Sequence, residues 1–120
     1  MKQEEYMSGL GMKKSRPSQA FGSVDRETIL TVGTFFKVMG DETRLRILTS
    51  LLDGSLCVKH ISERVGMSQS AISHQLAVLR QADLVRVARN GKQLIYSISD
   101  EHVRLMLDMA LLHVKEREEI

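Results

Sequence analysis

The sequence of 120 residues predicts a mostly α-helical protein that carries one β-hairpin near its C-terminal end. Three observations support this fold class. Apolar residues recur every three or four positions between residues 25 and 82, which is the period of amphipathic helices. Two β-rich stretches then flank Asn90-Gly91, a dipeptide typical of two-residue hairpin loops. A further helical stretch begins at Ser99 or Asp100 and continues to about Lys115.

Residues 1–23 do not share this pattern. They contain Gly9, Gly11, Pro17, Gly22 and four serines, and they lack a sustained apolar period. A segment of this composition is expected to be a flexible N-terminal arm. We therefore place the folded domain at residues 24–116 and a short C-terminal tail at residues 117–120.

Three amphipathic helices are expected in the first part of that domain. Asp25 and Asp41 are suited to cap the first two, which end at Gly40 and at Asp53-Gly54. The third extends from about Cys57 to Val65 and is stopped by Gly66. Their apolar positions are Ile29, Val32, Phe35, Phe36 and Met39 in the first, Leu45, Ile47, Leu48, Leu51 and Leu52 in the second, and Val58, Ile61 and Val65 in the third.

A fourth helix follows the third after the short turn at Gly66 and extends from Ser68 to Ala82. Ile72, Leu76 and Leu79 repeat at i, i+4 and i+7 and predict its buried face. The opposite face is polar and consists of Gln69, Ser70, Ser73, His74 and Arg80. Two strands, Leu84–Arg89 and Lys92–Ile98, then form the predicted hairpin.

This order of elements is that of a winged helix-turn-helix, with the fourth helix as the recognition helix. Glutamine can pair bidentately with adenine, whereas serine and histidine can bond to bases or phosphates. A polar face that is merely solvated is the alternative. The predicted contacts with operator DNA are Ser68, Gln69, Ser70, Ser73, His74, Gln75, Arg86, Arg89, Asn90 and Lys92.

The charge distribution favours DNA binding, although the net charge is only +2. Residues 80–93 hold four cations and one acid, a local charge of +3, and three of the cations lie on the hairpin. Such a wing can contact a phosphate backbone or the minor groove. Residues 100–120 hold six acids and three bases, a local charge of −3. The last helix should therefore lie away from DNA.

The last helix has almost no polar face in its middle, because Val103, Leu105–Leu107, Met109–Leu112 and Val114 surround it. A helix that is apolar on nearly every side needs one face for its own domain and another for a partner. We therefore expect a homodimer whose two subunits associate through their N- and C-terminal helices.

Four potential metal ligands flank this apolar stretch: Asp100, His102, His113 and Glu116. The two histidines are eleven residues apart on one face, which separates them by roughly 16 Å. Because metal–ligand bonds are near 2 Å, one ion cannot bind both within one chain. Two helices packed antiparallel would bring Asp100 and His102 of one chain against His113 and Glu116 of the other, forming two symmetric sites.

Two imidazoles and two carboxylates favour Zn(II), with Co(II) as a surrogate, over the softer Cd(II) or As(III). The alternative is that these residues are ordinary surface or interface side chains, since four such residues arise easily by chance on one helix.

These motifs together resemble the ArsR/SmtB family of metal-sensing repressors over residues 25–116. The resemblance lies in Gly40–Leu48 (GDETRLRIL), in Ser68–Leu76 (SQSAISHQL), in the Asn90-Gly91 wing, and in Asp100-x-His102 with His113-x-x-Glu116. It is greatest to the zinc sensors of the family. The resemblance implies a homodimer that binds a palindromic operator without metal and releases it when zinc binds. The single Cys of the chain fits the reducing cytoplasm.

The chain departs from the family's thiolate sensors in one short motif. Those sensors have a Leu-Cys-Val-Cys box on the helix before the turn. Here the box is Leu56-Cys57-Val58-Lys59, and no Cys or His precedes it. The thiolate site is therefore expected to be absent, with Cys57 a small apolar residue and His60 structural or at the surface. A regulator that responds to a non-metal or redox signal, and a protein-interaction module, remain alternatives. An enzyme is not expected, because the four ligands leave no open metal position for water.

Overall fold

The computed structural model describes residues 23–118, so that nearly all of the predicted N-terminal arm lies outside the described residues. The described residues divide into two compact units, 23–34 and 35–118. Its helices are α1 (Arg26–Met39), α2 (Glu42–Ser50), α3 (Val58–Val65), α4 (Gln69–Gln81) and α5 (Glu101–Glu118). Its strands are β1 (Leu56–Cys57), β2 (Val85–Asn90) and β3 (Gln93–Ile98). The predicted class, mostly α with a β-hairpin wing, is confirmed.

Side-chain caps fix the starts of four helices. Asp25, Asp41, Ser68 and Asp100 each accept the backbone N–H three residues ahead, at 2.7, 3.1, 3.1 and 3.0 Å respectively. This is the N-cap interaction, which satisfies one of the unpaired donors of a first helical turn. The bonds from Thr28 lower the pKa of Asp25. The cap of α1 is therefore complete above the ordinary pKa of aspartate and is lost as the pH falls through the lowered value.

Left-handed residues end α3 and α4. Gly66 ends α3 as predicted, with φ +78°, and its N–H bonds to the Ser62 carbonyl. Asp83 adopts φ +60° after α4, although it is not a glycine. The Asp83 N–H bonds to Arg80 O at 3.0 Å and the Leu84 N–H to Leu79 O at 2.9 Å, which together form a Schellman motif. This cap directs the chain from α4 into the wing.

The sheet has three antiparallel strands in the order β1-β3-β2, one more strand than the sequence predicted. Leu56 and Cys57 pair with Tyr96 and Ile95 of β3. The hairpin loop is also shifted by one residue, because Asn90 pairs with Gln93 and ends β2. Gly91-Lys92 is therefore the loop, not Asn90-Gly91. Gly91 has φ +65° at the first loop position, a conformation that glycine adopts without strain.

The core lies between α2, α3, α4 and the sheet. Every predicted buried residue of α4 is fully buried, whereas Val58 and Val65 of α3 are only partly buried. The side chains with the least exposure are Ile47, Leu48, Leu51, Ile61, Ile72, Leu76, Leu79, Leu84 and Val85. Within the described residues 23–118, no helix has the length and apolarity needed to cross a membrane.

The last helix contributes to the core only through its first half. Val103 and Leu107 are buried, and the Arg104 guanidinium donates to the Leu52 carbonyl in the turn after α2. Beyond Leu107 all its described residues are exposed. The helix continues to Glu118, past the predicted end near Lys115, so it enters the segment that was predicted as tail.

Candidate nucleic-acid interface and metal ligands

Helix α4 presents a polar face because its opposite face is fixed in the core by Ile72, Leu76 and Leu79. The predicted contact residues Ser68, Gln69, Ser70, Ser73 and His74 are all exposed. The Ser68 hydroxyl accepts the Ala71 N–H as the cap, and its own proton remains free to donate. These five side chains therefore share the accessible surface of the helix and its N-terminus.

Gln75 differs from the other predicted contacts of α4. It is half-buried at the edge of the polar face, and its Oε1 accepts a hydrogen bond of 3.2 Å from Nη1 of Arg44. Pairing with adenine requires both the oxygen and the nitrogen of the amide. The bond from Arg44 uses one of the two lone pairs of Oε1, so the bidentate contact of Gln75 with adenine stays a prediction.

The wing presents the remaining predicted contacts. Arg86, Arg89, Asn90 and Lys92 are exposed. Arg86 lies opposite Ser97, and its Nε donates to the Ser97 hydroxyl at 3.4 Å. Lys92 is one of the two loop residues at the tip, whereas Asn90 belongs to β2. Three exposed cations thus lie along one hairpin.

An open groove of about 560 Å³ lies between α4 and the wing strand β3. Its lining consists of Ser73, Leu76, Ala77, Arg80, Gln81 and Tyr96. Arg80 was counted as a local cation in the sequence but was not assigned a contact, and Tyr96 could not be placed beside α4 without the strand pairing. Both side chains join the candidate interface, because a cation and a phenol beside Ser73 suit a phosphate oxygen.

The first two candidate metal ligands lie together at the start of α5. Nδ1 of His102 is 3.7 Å from Oδ1 of Asp100, and both side chains are at least half exposed. Oδ1 also accepts the Val103 N–H, because Asp100 is the N-cap. His113 and Glu116 lie three residues apart in the exposed second half of the same helix, and therefore share one face.

Within the described part of one chain, no three His, Cys, Asp or Glu side chains gather into a group able to hold a metal ion. The four candidates form two pairs along α5 instead. A site that uses all four must therefore take ligands from two chains. The donor chemistry fits such a site, since each pair offers one imidazole and one carboxylate on an accessible surface.

Cys57 is 8% exposed and pairs with β3 at the start of α3. Its Sγ lies 3.5 Å from Nδ1 of His60. Lys59, at the position of the second cysteine of the thiolate box, is exposed. The burial of Cys57 agrees with the apolar role expected for it.

The chain is similar to known bacterial proteins. Residues 41–87 match the model of a family described as bacterial regulatory protein, arsR family. The chain is 40% identical over 100 residues to the HTH-type transcriptional regulator NmtR of Mycobacterium tuberculosis, which covers 83% of this chain and 81% of that protein.

Two solved structures are similar as well. One is the AntR antimony-specific transcriptional repressor, with a TM-score of 0.73 and 34% identity over 90% of this chain and 99% of that one. The other is the homodimeric winged helix-turn-helix DNA-binding domain Mb0332 from Mycobacterium bovis, with a TM-score of 0.74 and 25% identity over 90% of this chain and 94% of that one. These relatives are described as regulators of transcription, Mb0332 as a possible one, and not as enzymes.

Proposed function

The chain belongs to the arsR family of bacterial regulatory proteins, and from that premise we propose that it is a transcriptional repressor that responds to Zn(II). In this proposal residues 24–116 form the DNA-binding and dimerisation domain, and residues 1–23 an arm. A homodimer binds operator DNA without metal and releases it when zinc binds between its subunits. AntR is described as an antimony-specific repressor, which supports the proposal of a repressor that responds to one particular inorganic ion.

One observation carries the zinc proposal: helix α5 holds two exposed ligand pairs and, in its second half, an exposed apolar surface. Asp100 and His102 form the first pair, and His113 and Glu116 the second. The apolar surface between and beside them consists of Met109, Leu111, Leu112 and Val114, which are 44–54% exposed. An antiparallel partner helix would cover this surface and bring unlike pairs together.

The donor set supports zinc rather than a softer ion. Two imidazole nitrogens and two carboxylate oxygens complete a tetrahedral site without thiolate. The cap bond occupies Oδ1 of Asp100, which leaves its second oxygen for a metal. Co(II) is the expected surrogate. Four protein ligands leave no open position for a reactive water, which suits a sensor better than a catalyst.

The coupling between the two sites is proposed to pass through α5. Its first half is fixed to the DNA-binding core by Val103, by Leu107 and by the bond from Arg104 to the turn after α2. A change in the position of α5 is therefore transmitted to α2 and, through the shared core, to α4. From the resemblance to the family's metal sensors, we further expect the ring N–H of His113 that does not face the metal to donate to a backbone carbonyl near Asp83, where α4 meets the wing.

A calorimetric zinc titration of the full chain tests the metal site. The proposal expects two zinc ions per dimer, with loss of both sites in His113→Ala and unchanged binding in the matched variant His60→Ala. Absence of any site tighter than micromolar would favour a regulator that responds to a non-metal or redox signal. A protein-interaction module would instead lack operator binding, or would bind DNA with an affinity that does not fall steeply as the salt concentration rises.

A further inference from the structure

We propose that Leu94 on the wing makes an apolar contact with the deoxyribose sugars of operator DNA, beside the phosphates that the wing cations contact. This inference rests on the DNA-binding part of the proposed function and deepens it, because the DNA contacts predicted from the sequence are all polar or charged. It adds a contact whose strength comes from the removal of apolar surface from water rather than from charge.

Leu94 stands apart from the other exposed apolar side chains. It is 41% exposed. Within residues 23–118, the other large apolar side chains with 43–55% exposure lie in α1, just before it, or in the second half of α5. The proposed homodimer associates through these two helices, and so it accounts for their exposed residues but not for a leucine on the wing. Single exposed apolar residues are common at protein surfaces, so the surroundings of Leu94 decide its role.

The strand register places Leu94 on the side of the wing that meets the recognition helix. Alternate residues of a strand share one face of the sheet. Along β3, Ile98 is buried, Tyr96 is half-buried and Leu94 is exposed, so this face leads from the core outwards. Tyr96 lines the open groove between β3 and α4. Leu94 therefore lies farther out on the same face, two residues from the loop Gly91-Lys92.

A cation lies directly across the sheet from Leu94. Leu94 pairs with Arg89 of β2, which is exposed. Directly opposed side chains of an antiparallel pair share one face, with Cβ atoms about 5 Å apart. The long Arg89 side chain suits a phosphate oxygen, and in a DNA strand each phosphate joins two deoxyribose sugars that carry apolar C–H groups. A leucine so close to Arg89 therefore meets the sugar next to the phosphate that Arg89 contacts.

The groove at the base of this face has a chemistry that suits the same DNA strand. Arg80 and Ser73 line it together with Tyr96, and all three can bond to phosphate oxygens. A DNA strand that follows the groove towards the tip of the wing passes Leu94. The cations at both ends of this path, Arg80 and Arg89, favour a polyanion as the partner that covers Leu94.

The contacts of leucine and arginine with DNA differ in their dependence on salt. A cation that binds a phosphate releases a counterion, so its contribution falls as the salt concentration rises, whereas a leucine releases none. Loss of the Leu94 contact should therefore lower the affinity by the same factor at every salt concentration. Loss of Arg89 should instead reduce the slope of log affinity against log salt.

Fluorescence anisotropy with the metal-free, full-length chain tests this inference on a duplex that wild type selects from a randomised pool. We expect Leu94→Ser to raise the dissociation constant about tenfold at every salt concentration and to leave the salt slope unchanged. Leu94→Ile keeps the apolar side chain and should stay within about twofold of wild type. Ala88→Ser is the matched control, because it adds the same hydroxyl to an exposed position on the opposite face of the wing, and it should bind as wild type does.

Hydroxyl-radical footprinting adds a direct readout, because these radicals attack exposed C–H groups of deoxyribose. At concentrations that saturate the duplex, wild type should protect at least one sugar in each half-site that Leu94→Ser leaves accessible. A circular dichroism melt verifies folding, and Leu94→Ala decides the question if Leu94→Ser does not fold.

Three results would overturn the inference alone. They are equal affinity of Leu94→Ser and wild type, a reduced salt slope in that variant, and a shift of that variant from dimer to monomer in sedimentation velocity. The last result would assign Leu94 to the subunit interface. A wild-type pool with no enriched duplex would overturn the DNA-binding proposal together with the inference.

Discussion

The Asp100 carboxylate lies 3.7 Å from Nδ1 of His102 while it caps helix α5 through the Val103 N–H. One residue thus fixes the start of the helix and presents an oxygen beside a potential metal ligand. The two roles can be separated by chemistry. An N-cap requires only an acceptor, which asparagine also supplies, whereas a metal site gains from the negative charge.

Asp100→Asn should therefore weaken zinc binding without weakening the fold. We expect the dissociation constant for zinc to rise at least about tenfold, while the melting temperature of the apo protein stays within a few degrees. Calorimetry and thermal unfolding measure the two effects. Asp41→Asn, which changes the cap of α2, is the control. Equal zinc affinity in Asp100→Asn and wild type would remove Asp100 from the ligand set.

Leu112→Glu should disrupt the homodimer, because Leu112 is 52% exposed within the apolar surface of α5. A buried, unpaired carboxylate at that interface would be strongly unfavourable. Sedimentation velocity should show a shift from dimer to monomer at micromolar concentration. The matched control is Leu94→Glu, since Leu94 is a comparably exposed leucine (41%) on the wing. A stable dimer of Leu112→Glu would contradict the proposed role of this surface.

The wing cations should determine the salt dependence of DNA binding. Arg89 and Lys92 are exposed at and beside the hairpin tip, where they can contact phosphates. Each alanine substitution should reduce the slope of log affinity against log salt by about 1, because one fewer counterion is released. Fluorescence anisotropy at several salt concentrations measures the slope. Lys115→Ala on the acidic helix should leave it unchanged, and an equal reduction there would argue against wing contacts.

Asp83→Gly should stabilise the protein. Asp83 has φ +60° at the end of α4, where a side chain is strained and glycine is not. The expected gain in the free energy of unfolding is about 1 kcal/mol, measured by urea denaturation at fixed protein concentration. Gly66→Ala is the opposite change, because it places a side chain at φ +78°. It should lower the free energy of unfolding by a similar amount. A loss of stability in Asp83→Gly would show that the carboxylate has a compensating contact.

The elements that local chemistry specifies could be predicted from the sequence. Asp25 and Asp41 act as caps and Gly66 as a stop because these effects depend on a few neighbouring residues. The buried face of α4 follows from a single period, and Ile72, Leu76 and Leu79 are all fully buried. The winged helix-turn-helix order results from these local features and is confirmed.

Features that depend on residues distant in sequence could not be predicted. Strand β1 has only two residues, and its existence depends on pairing with β3 almost forty residues later. The contact between Arg44 and Gln75 joins two helices and gives no periodic pattern. The loop at Gly91-Lys92 was misplaced by one residue because asparagine also favours such loops. The candidate metal ligands require a second chain, so their assembly stays a prediction.

The central claim is that zinc weakens the binding of operator DNA by this chain. A DNA titration on the promoter upstream of the chain's own gene, with and without Zn(II), tests it most directly. The account predicts an affinity at least about tenfold lower with zinc, within the usual range of allosteric coupling, and an unchanged affinity in His113→Ala. Equal affinity in both conditions, in a sample shown by calorimetry to have bound zinc, would contradict it.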